Sequence, residues 1–316
     1  MNRVNSSSVG AGDPPRRSAV VLMAYGTPRC RDEIAPYYTD IRRGRPPTPE
    51  QLADLARRYE AIGGLSPLAE RTESQRAGLA RALDDRLPGR CQVVLGLKHA
   101  DPKIESAAAD LRTTDVDEIV GLVLAPHYSA FSIGQYLDRL QAAVGDVPVV
   151  GVRSWATEPA FVRFLADQVK RGLADLPERT TVLFTAHSLP ERIVAAGDPY
   201  PDELRATAVA VAECVGLSDE RWGLAWQSAG RTPEPWLGPD ILEVISQLAE
   251  AQGPGTGVLV CACGFVADHL EVLYDLDIEA ARRAADVGLA FARTGCVNDD
   301  PAVLGALADR VVALLP

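Results

Sequence analysis

Lysine is nearly missing from this 316-residue chain: Lys98, Lys103 and Lys170 are the only ones, and every other basic side chain is arginine. The planar arginine fork suits fixed, two-pronged contacts with carboxylates better than the mobile point charge of lysine does. Positive charge is scarce overall, since the formal net charge is −11. A phosphate polyanion would be repelled over most of the surface, which argues against nucleic-acid binding. No apolar run approaches the ~20 residues of a membrane-crossing helix, so no transmembrane segment is expected. The six cysteines, at 30, 91, 214, 261, 263 and 296, lack the even, dense spacing of a secreted disulfide scaffold. Reduced thiols in a cytoplasmic protein are the expectation. Neither G-x-G-x-x-G nor a Walker lysine motif follows a candidate strand, and G-x-S-x-G is missing too. Dinucleotide, nucleoside triphosphate and serine-hydrolase readings lose their usual support.

What is there reads as a soluble globular protein, 47% hydrophobic and 24% charged, long enough for two domains of roughly 150 residues. The Ser-, Gly- and Pro-rich opening, 1–17, reads as a disordered leader. The apolar run after it is too short for a secretion signal and lacks a cleavage site. Eight strand-like segments follow: Ala19–Tyr25, Cys91–Lys98, Ile119–Ala125, Val147–Arg153, Thr181–Ala186, Trp222–Gln227, Gly257–Cys263 and Gly288–Arg293. Helical patterns such as Leu68–Leu87, Pro159–Leu173, Pro201–Val215 and Leu242–Ala251 lie between them. Strand and helix in alternation predict parallel sheets. Four strands precede residue 155 and four follow. The expected fold is α/β, with two Rossmann-like, doubly wound lobes, each a four-stranded parallel sheet flanked by helices. The lobes are expected at 18–155 and 156–300, with the terminal helix 301–316 packing back on the first.

Ligands of open α/β sheets bind at the carboxyl ends of the strands, and the chemistry of this chain gathers there. All four histidines, His99, His127, His187 and His269, fall at or just beyond strand ends. Past the seventh strand, Asp268, Glu271, Asp275 and Glu279 are spaced to share one helical face. Such a face is either solvated or a path for cations. A neutral imidazole beside a carboxylate suits a borderline divalent metal and also accepts protons near neutrality; His187 reads equally well as a packed strand-end residue. Arg42, Arg43, Arg45, Arg57 and Arg58 face only Glu50 and Asp54 in the same stretch, a local basic patch that would favour anions. The loop Ile62–Leu68 leads into a helix, where backbone amides and Ser66 could hold a carboxylate.

The segments MAYGTP, IRRGR, RYEAIGGLSPL, GLKH, LAPHYS, AHSLPERIVAAGDPYPDEL, WQSAGRTPEPWLGPD and GFVADHLEVLYDLD resemble, in order, those of ferrochelatases, over nearly the whole chain after the leader. The likeness is greatest to the coproporphyrin III ferrochelatases of Gram-positive bacteria and actinobacteria. It implies a chelatase-like fold with a porphyrin cleft between the lobes, and a lyase of haem biosynthesis that inserts Fe2+ into coproporphyrin III. His187 and Glu271 match the iron ligands and proton-handling pair. Tyr25 matches the tyrosine that meets the product iron from the opposite face, so the macrocycle would lie between it and that pair. Arg42, Arg58, Tyr59, Ser66 and Tyr136 match porphyrin-binding positions, and Asp275 and Glu279 an outer metal site. His99, His127 and His269 are expected to be structural.

The resemblance implies no prosthetic group. Some actinobacterial relatives carry a [2Fe–2S] cluster, which needs four ligands; the Tyr128–Ile133 loop and the last residues hold no cysteine, so none is expected, and Cys261 and Cys263 read as small buried strand residues. A cytoplasmic monomer is expected, handing its product to a coproheme decarboxylase. The alternatives are protoporphyrin IX as substrate, a chelatase for another metal and tetrapyrrole, and a non-catalytic porphyrin or haem carrier.

Overall fold

The computed structural model describes residues 16–230, 232–253 and 255–315. The expected leader, up to residue 15, lies outside them. The first half runs β1 (Ser18–Ala24), α1 (Ile34–Ile41), α2 (Pro49–Ala61), α3 (Leu68–Asp84), β2 (Cys91–Leu97), α4 (Ile104–Leu111), β3 (Glu118–Val123), α5 (Gln135–Val144) and β4 (Val149–Val152). The second runs α6 (Pro159–Ala174), β5 (Thr180–His187), α7 (Arg192–Ala195), α8 (Tyr200–Val215), β6 (Trp222–Gln227), α9 (Ile241–Gln252) and β7 (Gly257–Cys261). A π-helical segment (Val272–Ala280) then leads into α10 (Ala281–Asp286), β8 (Ala290–Arg293) and α11 (Pro301–Leu314).

One sheet has the order β2-β1-β3-β4 and the other β6-β5-β7-β8, and every pairing is parallel. The expected fold class holds. Both sheets use the same permutation. In each lobe the first strand has the second on one side and the third on the other, so loops diverge above β1/β3 and β5/β7 and leave a crevice there.

Period-two alternation decides what each strand buries. Val20 and Leu22 of β1 and Val182, Phe184 and Ala186 of β5 enter one central cluster, which also holds Trp155 and Phe161. Ala19, Val21 and Met23 turn to the opposite face, under α4 and α5. Leu183, Val258 and Val260 do the same in the second lobe. The two sheets thus share apolar packing between them while each keeps its own outer cluster. Helix α11 packs on α3 and also reaches α6 and β4.

Strand β7 stops two residues before its expected end because the Cys263 N–H donates to the Cys261 carbonyl at 2.8 Å, a tight turn. Gly264 follows, and a Cβ there would lie 2.4 Å from the Cβ of Ala186. Only glycine lets this turn settle against the end of β5. Gly26, after β1, has φ +88°, and a Cβ there would meet Ala100 at 2.7 Å. Among the described residues no helix is long and apolar enough to cross a membrane.

Candidate active site

His187 is the last residue of β5, and Glu271 stands just ahead of the π-helical segment after β7, so both rise beside the second lobe's switch point. His187 Nε2 lies 3.7 Å from Glu271 Oε1, and the two side chains keep 34% and 38% of their surface, open to a ligand. The Nδ1 atom of His187 contacts the Ser188 carbonyl. A carbonyl can only accept, so Nδ1 carries the hydrogen and Nε2 of the neutral ring holds a free lone pair aimed at Glu271.

His269, expected to be structural, stands on the same carboxylate. Its Nδ1 donates to the Ala267 carbonyl at 2.9 Å, and its Nε2 is 3.6 Å from Glu271 Oε2. Each oxygen of the Glu271 carboxylate therefore faces one imidazole nitrogen, an arrangement that favours a proton on either ring. Burial disfavours ionisation of Glu271, yet once His187 and His269 carry protons, their charge, the His269 hydrogen bond and Arg58 outweigh it and bring the carboxyl down to about 2. The spacing His269-x-Glu271 in DHLE was the available signal for this contact.

Tyr25 faces this group from the end of β1, 42% exposed, with its ring 4.5 Å from that of His99. His99 in turn binds Asp40 through Nδ1 at 2.6 Å. Local burial, then the charge of Glu271, then that of Asp40 push the Tyr25 phenol well up, so it stays protonated. The same Glu271 charge also raises Tyr59 and Tyr37, after burial as the first cause. The phenols of the first lobe and the carboxylate of the second thus lie within electrostatic reach of one another. Tyr37, which sequence reasoning missed, donates to the Gly26 carbonyl at 3.0 Å and holds the turn after Tyr25.

The other expected residues line the first lobe. Arg42 ends α1 with its guanidinium over the Tyr38 ring at 5.7 Å. Ser66 is buried and accepts from the Leu68 N–H at 3.3 Å, which leaves its own hydrogen to donate. Tyr136 is buried beneath Lys98, whose Nζ is 5.1 Å from the ring centroid and 2.9 Å from Gln135 Oε1. Burial, Arg139 and Arg43 press Lys98 down to about 8. Among the described residues no carboxylate pairs with this lysine. Arg58 is already engaged: Nη1 lies 3.5 Å from Asp275, Nε 3.6 Å from Asp54, and the guanidinium 4.7 Å above Tyr274.

The expected single face of four carboxylates is corrected in two ways. Asp268 precedes the helix and is taken up by Arg293 at 3.2 Å and by the Asn298 amide at 2.8 Å. The turns that carry Asp275 and Glu279 are π-helical, a wider winding common at functional sites. Asp275 is buried beneath Ser228, which donates to it. Burial and Glu271 push its carboxyl up to about 6 against the Ser228 bond and Arg58, with Glu279 adding to the rise. Cys261, Cys263 and Cys296 are buried free thiols, and burial pushes Cys263 and Cys296 far toward the inert, protonated form. Among the described residues no three His, Cys, Asp or Glu side chains are placed to hold a metal ion.

Two four-stranded parallel sheets of like topology, flanked by helices, make a two-lobed α/β chelatase fold. SirB from Bacillus subtilis superposes with a TM-score of 0.55 over 94% of this chain and 94% of its own, at 12% identity. CbiX, described as the terminal enzyme of siroheme biosynthesis in denitrifying bacteria, gives 0.53 over 95% and 100%, at 16% identity. The ferrochelatase family profile matches residues 17–314. A coproporphyrin III ferrochelatase of Bacillus pumilus is 44% identical over 95% of this chain and 98% of its own, and that of Bacillus subtilis 43% over the same shares. A ferrochelatase of Herpetosiphon aurantiacus is 43% identical over 92% and 97%. The chain belongs to the ferrochelatase family. It is a metal-inserting enzyme, and the metal is iron.

Proposed function

We propose that this enzyme inserts Fe2+ into coproporphyrin III to give coproheme, with the macrocycle lying between Tyr25 and the His187–Glu271 pair. The observation that carries the reading is that pair: a lone pair and a carboxylate 3.7 Å apart, partly exposed, and electrostatically coupled to Tyr25 in the other lobe. Metal insertion demands that one cation arrive as two pyrrole protons leave. Glu271, whose carboxyl the neighbouring cationic groups hold below its ordinary range, is a poor proton acceptor at neutral pH and a good partner for a cation. His187 presents the free lone pair of the one side chain that ordinarily titrates near neutrality. Glu271 therefore steadies the iron while His187, open to solvent, takes the two pyrrole protons in turn and passes each on to water. Binding energy spent on bending the ring would expose its nitrogen lone pairs.

Four propionates distinguish coproporphyrin III from protoporphyrin IX, which has two. Arg42 and Lys98, which among the described residues pair with no carboxylate, the free hydroxyl hydrogen of Ser66, and the phenols of Tyr59 and Tyr136 favour the more anionic ring. Arg58 joins them only by exchanging Asp275 for a propionate. Asp275 and Glu279 then form an outer site through which the metal approaches. Tyr25 is the axial contact to the product iron, and a cytoplasmic monomer passes that product to a coproheme decarboxylase.

The test is anaerobic turnover with Fe2+, comparing the two porphyrins side by side. Coproporphyrin III should be preferred clearly; a preference for protoporphyrin IX would overturn the substrate reading. His187→Ala should abolish insertion while porphyrin affinity stays within a few-fold. Unchanged turnover in that variant would remove His187 from the chemistry, and binding without turnover in the wild type would favour a carrier.

A further inference from the structure

The backbone around His187 is held more firmly than a strand end requires. Two hydrogen bonds converge on the peptide between residues 187 and 188, and a third anchors the Ser188 side chain. The Tyr200 hydroxyl donates to the His187 carbonyl at 3.0 Å, the Ser188 N–H donates to the Gln227 carbonyl at 2.7 Å, and the Ser188 hydroxyl donates to the Leu237 carbonyl at 2.7 Å. Ser188 is 1% exposed and Tyr200 7%, so water does not compete for these bonds. Tyr200 is itself fixed on several sides. Its ring lies 5.6 Å from that of Trp226 and edge-on to His127 at 6.2 Å. Its N–H donates to Asp198, whose other oxygen accepts from Ser129 and Ala130 of the first lobe. The Ser188 carbonyl, steadied in this way, is the atom that receives the His187 Nδ1 hydrogen.

We propose that Tyr200 and Ser188 are positioning residues for metal insertion: they aim the Ser188 carbonyl at His187 Nδ1, and so keep the imidazole in the tautomer whose bare Nε2 faces Glu271. The proposal rests on the catalytic role given to His187 above. The physical reason is that neutral imidazole has two tautomers, and only a fixed acceptor at one nitrogen selects between them. A strand-end histidine without that acceptor would spend part of its time with Nε2 protonated, unable to take a metal or a pyrrole proton. The connection through Asp198 ties this selection to the packing of the first lobe.

The experiment has two arms, read on the full-length enzyme. Long-range proton–nitrogen correlation spectra of 15N-histidine-labelled protein, at a mildly alkaline pH, report the tautomer of each ring. With four histidines in the chain, comparison with His187→Asn assigns the signal. The wild type should show the Nδ1–H form at His187, and Tyr200→Phe and Ser188→Ala a mixture of the two forms. In the second arm, kcat for iron insertion should fall about 10- to 100-fold in both variants, with the porphyrin KM within about twofold and Ser188→Thr restoring most of the loss. An Nε2–H form in the wild type overturns the proposal, whether or not the variants fold. So do variants with unchanged kcat, or with a loss confined to KM. Because the tautomer is read without turnover, it stands or falls separately from the assignment of His187 to the chemistry.

Discussion

Replacing Asp275 by asparagine should stabilise the ligand-free protein, and increasingly so as the pH is raised to neutrality. The carboxyl is 8% exposed and moves from its ordinary 3.8 to about 6. At ~1.36 kcal/mol per unit, ionising it in the fold costs about 3 kcal/mol more than in the unfolded chain. The folded state holds this proton more tightly, so the group's contribution is intact below the unfolded value. It is lost as pH rises through the folded value and is constant beyond it. Asparagine stays neutral and can still accept from Ser228. Urea unfolding of both proteins should therefore show the variant's advantage widening by roughly 2 kcal/mol between about pH 4.5 and about pH 7.5, then levelling. Parallel stability profiles would refute the account of Asp275 as a carboxylate strained by burial and by Glu271. A divalent cation added at about pH 7.5 should narrow the gap if Asp275 and Glu279 hold it, because only the wild type offers both charges.

Glu271→Gln should lower kcat by at least about 100-fold, with porphyrin binding by fluorescence quenching near wild type, since the amide keeps shape and loses charge. Lys98→Met should raise the KM for coproporphyrin III more than that for protoporphyrin IX and leave kcat nearly unchanged; an equal rise for both would show that no propionate reaches it. Gly264→Ala places a methyl 2.4 Å from the Cβ and 2.6 Å from the Cα of Ala186. It should cost at least the upper end of about 1–3 kcal/mol by denaturant titration, and iron insertion should fall too, because Ala186 precedes His187.

The run of β-rich and helical periods in this chain was enough for eight strands, two parallel sheets and the clustering of histidines at strand ends, because those features depend on local alternation and on burial of both strand faces. The motifs around Tyr25, His187 and Glu271 were likewise legible in one dimension. Strand order was not. That β1 and β5 each lie between the second and third strands of their lobes, which puts the crevices beside Tyr25 and His187, follows from packing of helices on both faces. Nor could spacing show that the turns bearing Asp275 are π-helical, or that Asp268 leaves the carboxylate face for Arg293 and Asn298. The contact of His269 with Glu271 depends on a turn held by the Ala267 carbonyl. The ionisation of Glu271 and Asp275 was decided last of all. Two carboxylates four residues apart in sequence end near 2 and about 6, since one meets two imidazoles and the other meets the first one's charge inside a buried wall.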